Sequence, residues 1–274
     1  MGDDDRRRVL TRRQSLVLFG STGTGLLIAR GAGAAIARGE GHDYVAEAAS
    51  ACTLTAEQEE GPFYVAVDDV RDEIVLGQVG LPLELTITII SSLTCKPLRH
   101  AAVDIWQCNA HGVYSDISSE DTLGQTYLRG VQFTDKHGQV NFKTLYPGHY
   151  SGRTTHIHAR IHISSGDDAS KLTGGHISHT GQMFPPDAVN AEVYKLSPYD
   201  TESAAVVTHA EDRVWTQQHG SESQLKITKL GHRLTKGLAA SVTMAVNPHA
   251  TPALIGATSS GTGSGPGGAP PTSS

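Results

Sequence analysis

Leu83-Glu84-Leu85-Thr86-Ile87-Thr88-Ile89-Ile90 alternates apolar residues with Glu or Thr. A period of two puts Leu83, Leu85, Ile87 and Ile89 on one face of a β-strand, whereas a helix would scatter them. The β-branched Ile and Thr also suit a pleated surface. Working outward, Ala102–Gln107 predicts a second strand after a turn around Lys96-Pro97. Tyr127–Thr134 and Gln139–Thr144 flank Asp135-Lys136-His137-Gly138, which reads as a four-residue hairpin loop. His156–Ile163 predicts a fifth strand with Ile157, Ile161 and Ile163 on one face, and Leu225–Lys229 and Ala240–Val246 two more. Helical periodicity is weak; only Thr55–Glu60 and Asp200–Ala205 suggest short helical turns. The expectation is a mainly β fold, a β-sandwich of mostly antiparallel strands with short helices and long loops.

Composition narrows the function classes. With 30 Gly and 12 Pro in 274 residues, the chain is too rich in turns for a coiled coil. A net charge of −6 argues against a nucleic-acid partner, and 14 His make metal chemistry worth pursuing. The first 37 residues resemble a twin-arginine export signal. Arg6, Arg7 and Arg8 precede Thr11-Arg12-Arg13-Gln14-Ser15-Leu16, an apolar stretch runs from Leu16 to Ala29, and Ala35-Ile36-Ala37 offers a cleavage site. Gly20, Ser21, Gly23, Gly25 and Arg30 break the apolar stretch, against a membrane anchor. Removing residues 1–37 takes away six basic and three acidic residues and leaves an acidic chain, expected to be extracellular and free of the membrane. A short linker over 38–50, a folded unit over 51–250 and a disordered Gly/Ser/Pro-rich tail over 251–274 follow. Cys52, Cys95 and Cys108 permit one disulfide in three alternative pairings.

The chemistry starts at His156-Ile157-His158. On a strand, i and i+2 share a face, so both imidazoles reach one metal ion, and Arg160 and His162 continue that face. Tyr150 lies upstream in Pro147-Gly148-His149-Tyr150, and Arg153 is three residues before His156. Tyr114 ends the run Asn109-Ala110-His111-Gly112-Val113-Tyr114 that follows Trp106, and Gln182 lies downstream in Gly181-Gln182-Met183-Phe184. His176 and His179 sit in what reads as a Gly/Ser-rich loop without ligand partners; His111 and His149 lie near the pattern without an assignable role.

This ordered set, together with Glu60-Gly61-Pro62-Phe63-Tyr64, resembles the intradiol ring-cleavage dioxygenases, and the resemblance runs from Glu60 to near Val246. It implies one non-haem Fe(III) held by Tyr114, Tyr150, His156 and His158. Two phenolates are hard anionic donors suited to a ferric ion, and two neutral imidazoles complete the set. It further implies catalytic roles for Tyr150, Arg153 and Gln182, and a substrate pocket lined by Gly61, Pro62, Phe63, Tyr64 and Arg153. Catechol and O2 would be the substrates and a cis,cis-muconate the product, with Tyr150 displaced by the substrate and taking one of its protons.

Two departures stand out. Only Ser151-Gly152 separates Tyr150 from Arg153, where relatives carry a longer loop, which predicts a more open pocket. Little chain lies between the signal and Glu60 to match the helical region that dimerises catechol dioxygenases, so the oligomeric state stays open. Competing readings are a cupin-type oxygenase, disfavoured because residues 159–166 contain no Glu, and a transthyretin-like binding module, which leaves the two Tyr with His-x-His and Arg153 unexplained.

Overall fold

The computed structural model describes residues 53–66, 69–163 and 175–256, all within one compact unit. The signal and linker segments, Cys52 and the tail beyond residue 256 lie outside the described residues. Those described form eight strands: β1 (Pro82–Ser91), β2 (Ala101–Trp106), β3 (Arg129–Phe133), β4 (Gln139–Leu145), β5 (Ile157–Ile163), β6 (His176–Met183), β7 (Lys226–Lys229) and β8 (Leu238–Val246). Two short α-helices, α1 (Asp187–Val193) and α2 (Arg213–Gln217), sit between β6 and β7.

The strands form two four-stranded sheets, ordered β4-β1-β8-β7 and β3-β2-β5-β6. All pairings are antiparallel except β1 with β8. The alternation of β1 is realised as expected. Leu83, Leu85, Ile87 and Ile89 face the core almost without exposure, while Glu84, Thr86 and Thr88 point outward. Each such side chain contributes roughly 1.5–3 kcal/mol on burial. Val103 and Ile105 of β2 and Ile157, Ala159 and Ile161 of β5 meet them from the second sheet. This is the mainly β sandwich with few helices.

Several local expectations are corrected. Asp135–Gly138 does form a tight turn, with Asp135 Oδ1 accepting from the His137 and Gln139 amides. It is not a hairpin loop, because β3 and β4 belong to different sheets. Thr55–Glu60 is an extended strap: Thr55 N–H donates to Ala245 O, and Gln58 N–H to Thr180 O. The second helical turn shrinks to a 3-10 turn at Tyr199–Thr201. The stretch around His176 and His179, read as a loop, is strand β6. Its hydrogen bonds to β5 and to the strap outweigh a polar, Gly-containing composition.

The second sheet is covered on both faces. Its inner face meets β1 and β8, and its outer face carries His158, Arg160 and His162 of β5, with Trp106 of β2 and Gln182 of β6 level with His158. Arg160 lies over the Tyr64 ring at 3.7 Å and pairs with Glu60, while Tyr64 Oη donates to Asp104 Oδ2 at 3.1 Å. A buried cation is thus paired with Glu60 of the strap and covered by the Tyr64 ring, which Asp104 of β2 holds in place.

His162, at the far end of this face, is held down to about 4 by burial and then by the Arg160 charge. Its unfolded value is about 6.5, so the unfolded chain binds the proton first. The stabilisation it contributes is complete above pH 6.5 and is lost as the pH falls toward 4. Thermal unfolding between pH 7 and 4 should therefore show a shallower loss of Tm in His162→Gln than in the wild type. Equal slopes would show that His162 is not held neutral.

Candidate metal centre

β5 opens with Ile157, and its first residues sit where three loops meet. The loop bearing Tyr114 (107–128) and the loop bearing Tyr150 (146–156) approach so closely that their glycines are obligatory. A Cβ at Gly112, where φ is +75°, would stand 2.4 Å from His149 O, and one at Gly148 2.5 Å from Ala110 O. Asn109 shapes the first loop by accepting the His111 and Val113 amides on Oδ1, and Arg129 pins its far side through Ser115 Oγ and O. On the second loop, Ser151 and Gly152 form an exposed turn that returns the chain from Tyr150 to Arg153.

Four aromatic donors converge there. Tyr150 Oη and His158 Nε2 each lie 3.1 Å from His156 Nε2. Thr154 O accepts the His156 Nδ1–H at 2.6 Å, which leaves the Nε2 of that ring as a bare lone pair. Trp106 stacks on His158, with centroids 4.7 Å apart and planes 6° from parallel. Phe63 stacks on Tyr114 at 4.4 Å and meets Tyr150 edge-on at 5.8 Å. Tyr114, His156 and His158 are buried, whereas Tyr150 is partly exposed.

The hydrogen-bond inventory does not close. His156 Nε2 offers one lone pair to two neighbours, His158 Nδ1 is buried without any partner, and the buried Tyr114 hydroxyl has only the Tyr150 hydroxyl beside it. Burial and then the charge repulsion of Tyr150 hold Tyr114 well above the ordinary phenol value. Burial likewise raises Tyr150. Burial and then Arg153 lower His156, and burial and then His156 lower His158, so both imidazoles are neutral. A largely buried cluster rich in lone pairs and poor in protons is what a cation satisfies. A trivalent ion would also reverse the phenol preference and hold both oxygens as phenolates. The residues therefore fit a metal. Among the described residues no group of three His, Cys, Asp or Glu is placed to hold one, so such a site depends on the tyrosine oxygens.

Arg153 reaches the cluster from the short turn. Its Nε–H donates to Asp212 Oδ2 at 2.8 Å, its Nη2 donates to Gln182 Oε1, and its Nη1 lies 3.7 Å from Glu59 Oε1. Gln182 in turn donates from Nε2 to Glu59 O at 2.9 Å and accepts nothing from the four donors. Of the strap residues singled out in the sequence, Gly61 and Phe63 lie against the donors. A Cβ at Gly61 would be 3.5 Å from His158 Cε1. Pro62 is exposed at the turn, and Tyr64 stands one layer back, edge-on to Trp106 at 4.9 Å.

The structure adds residues that pattern reading missed. Asp212, Glu59 and Gln58 hold Arg153 and the β6 edge, yet they lie outside the His and Tyr motifs. An Asp opening the short α2 was the available signal for Asp212. His179, without an assigned partner in the sequence, pairs through Nδ1 with Glu57 at 2.6 Å. Cys95 is disulfide-bonded and Cys108 is a free thiol buried beside Trp106 and Tyr114, so neither pairing that involves Cys108 is formed.

Comparison with known proteins agrees with this geometry. Residues 59–181 match the family model Dioxygenase_C, described as dioxygenase. The solved intradiol ring-cleavage dioxygenase from Tetranychus urticae is 32% identical with a TM-score of 0.66, and the alignment covers 74% of this chain and 98% of that one. Catechol 1,2-dioxygenase of Candida albicans is 32% identical over 126 residues. That alignment takes in 37% of this chain and spans only 40% of the Candida protein. With a relative of this identity matched over nearly its whole length, the chain belongs to the intradiol ring-cleavage dioxygenase family.

Proposed function

We propose that this chain is a non-haem Fe(III) dioxygenase that cleaves catechols between their two hydroxyl-bearing carbons, consuming O2 and forming a cis,cis-muconate. The observation that carries the reading is the convergence of Tyr114, Tyr150, His156 and His158, whose lone pairs outnumber the protons available to them. These four residues would hold the iron. When bound, the ferric ion supplies a Lewis acid for the two catechol oxygens and draws electron density from the ring, opening it to O2.

The side chains divide the remaining work. Tyr114 is buried and stacked on Phe63, so it serves as a fixed donor. Tyr150 is partly exposed beside the Ser151-Gly152 turn, which suits it to leave the cluster and take a substrate proton on Oη. Phe63 offers an aromatic wall that touches both tyrosines, and with Gly61 it borders the space left for the ring. Arg153 supplies a cation for negative charge developing on the ring. Gln182 has both ends of its amide engaged, with Arg153 and with Glu59 O, so its part is to orient that cation.

The export of the chain is also part of the proposal. The Arg12-Arg13 pattern suggests it, and the disulfide at Cys95 supports an oxidising compartment.

Oxygen uptake by the iron-loaded protein on catechol, 4-methylcatechol, protocatechuate and hydroxyquinol tests the reaction. Stoichiometric O2 consumption with appearance of a muconate is expected, and extradiol aldehyde products or no uptake on any of the four would overturn the reading. Arg153→Ala then separates binding from chemistry. It should retain iron and bind catechol anaerobically, while kcat falls by about 10²–10³, the effect typical of one lost preorganised electrostatic contact. A kcat within twofold of the wild type would leave Arg153 a structural partner of Asp212 and Glu59 with no part in the chemistry.

A further inference from the structure

Asp212 opens α2 as its N-cap, and its carboxylate is completely buried. Oδ1 accepts the Trp215 amide at 2.9 Å, the ordinary duty of a capping residue. Oδ2 does two further things: it accepts Arg153 Nε–H at 2.8 Å and the Thr154 amide at 2.9 Å. The carbonyl of the same Thr154 receives the His156 Nδ1–H. One carboxylate is therefore joined to the guanidinium and, through a single residue, Thr154, to the imidazole that stands at the centre of the donor cluster.

A cap alone does not account for a charge here. Serine or asparagine caps a helix as well as aspartate, and a helix of five residues gives little return for burying a carboxylate. Burial by itself would raise Asp212; the Arg153 charge and the hydrogen bonds from Arg153, Trp215 and Thr154 outweigh it and hold the carboxyl below its ordinary value. Arg153 is met at each of its three nitrogens by a different element, with Asp212 before α2, Gln182 on β6 and Glu59 on the strap. Asp212 makes the contact at Nε, which fixes the plane of the group, and it is the fully buried member of the two carboxylates.

We propose that Asp212 is a positioning residue for ring cleavage, setting the Arg153 guanidinium through its buried carboxylate. The proposal rests on the functional reading above. It has an opposite that can be told apart. Asp212 also neutralises Arg153, so if its main effect were to weaken that cation, removing it would raise kcat. If orientation dominates, removing it lowers kcat, since displacing a catalytic group by an ångström costs up to about 10²-fold.

Asp212→Ser in the full iron-loaded chain is the test. The Ser hydroxyl keeps the cap on the Trp215 amide and is too short to reach Arg153. Iron content, the visible band and anaerobic catechol binding should match the wild type, and KM should stay within about threefold while kcat falls about 10- to 100-fold. In the Arg153→Ala background the same change should cost less than about threefold, because the group being positioned is gone. Unchanged or increased kcat in Asp212→Ser, or losses that multiply in the double variant, would overturn the proposal. Asp212→Asn provides the same test should the serine variant not fold. Its single oxygen can serve the cap or the Arg153–Thr154 side but not both. A wild type that consumes no O2 with any catechol removes the functional reading itself, a failure visible before any variant is made.

Discussion

The second sheet is organised around one electrostatic imbalance: four aromatic donors brought together in a largely buried place with too few protons to satisfy one another. Such a cluster is costly in an empty interior, because each unmatched buried lone pair forfeits a hydrogen bond worth about 1–3 kcal/mol. Only a rigid frame keeps it assembled. Strand β5 contributes His158, His156 immediately precedes it, and the register places Trp106 and Gln182 on either side of His158. The loops that bring the tyrosines are interlocked at Gly112 and Gly148, where any side chain would strike a backbone oxygen.

The strap across this sheet is held by hydrogen bonds and charge. Glu57 hydrogen-bonds His179, while Glu59 meets Arg153 with Arg213 and Glu60 meets Arg160. Buried ion pairs are poor evidence of added stability, since desolvation offsets most of their attraction. Their effect here is one of register. Each acid has a partner on a different element, so sliding the strap by one residue would leave several buried charges unpaired at once. That fixes Gly61 over His158 and Phe63 against Tyr114. The apolar side of the same sheet supplies the stability, through the Val, Ile and Ala residues it presses onto β1 and β8.

How much of this could be read from the chain depended on the range of the determining interaction. Strand β1 was legible because a half-buried sheet writes its own alternation; β5, covered on both faces, was legible through Ile157, Ile161 and Ile163 at a period of two, with the His156–His158 pair on the opposite face. Tyr114, Tyr150 and Arg153 were legible through a resemblance in ordered motifs. Strand β6 was not, because its Gly, Ser and His residues have little β preference and its pairing comes from β5 and from the strap. The Asp135–Gly138 turn shows the opposite limit: local chemistry fixes a reversal of the chain but says nothing about which sheet the next strand joins. Asp212 is a long-range partner of Arg153 in a short helix, and only the folded chain joins them.

The central claim, that two tyrosines and two histidines form one ferric site, is tested most directly by metal analysis and visible absorption of the protein and of His158→Ala. The account predicts one iron per chain with a tyrosinate-to-iron charge-transfer band in the wild type, and loss of metal and band together in the variant. A colourless wild type holding zinc or no metal, or a variant that keeps full iron with an unchanged band, would contradict it.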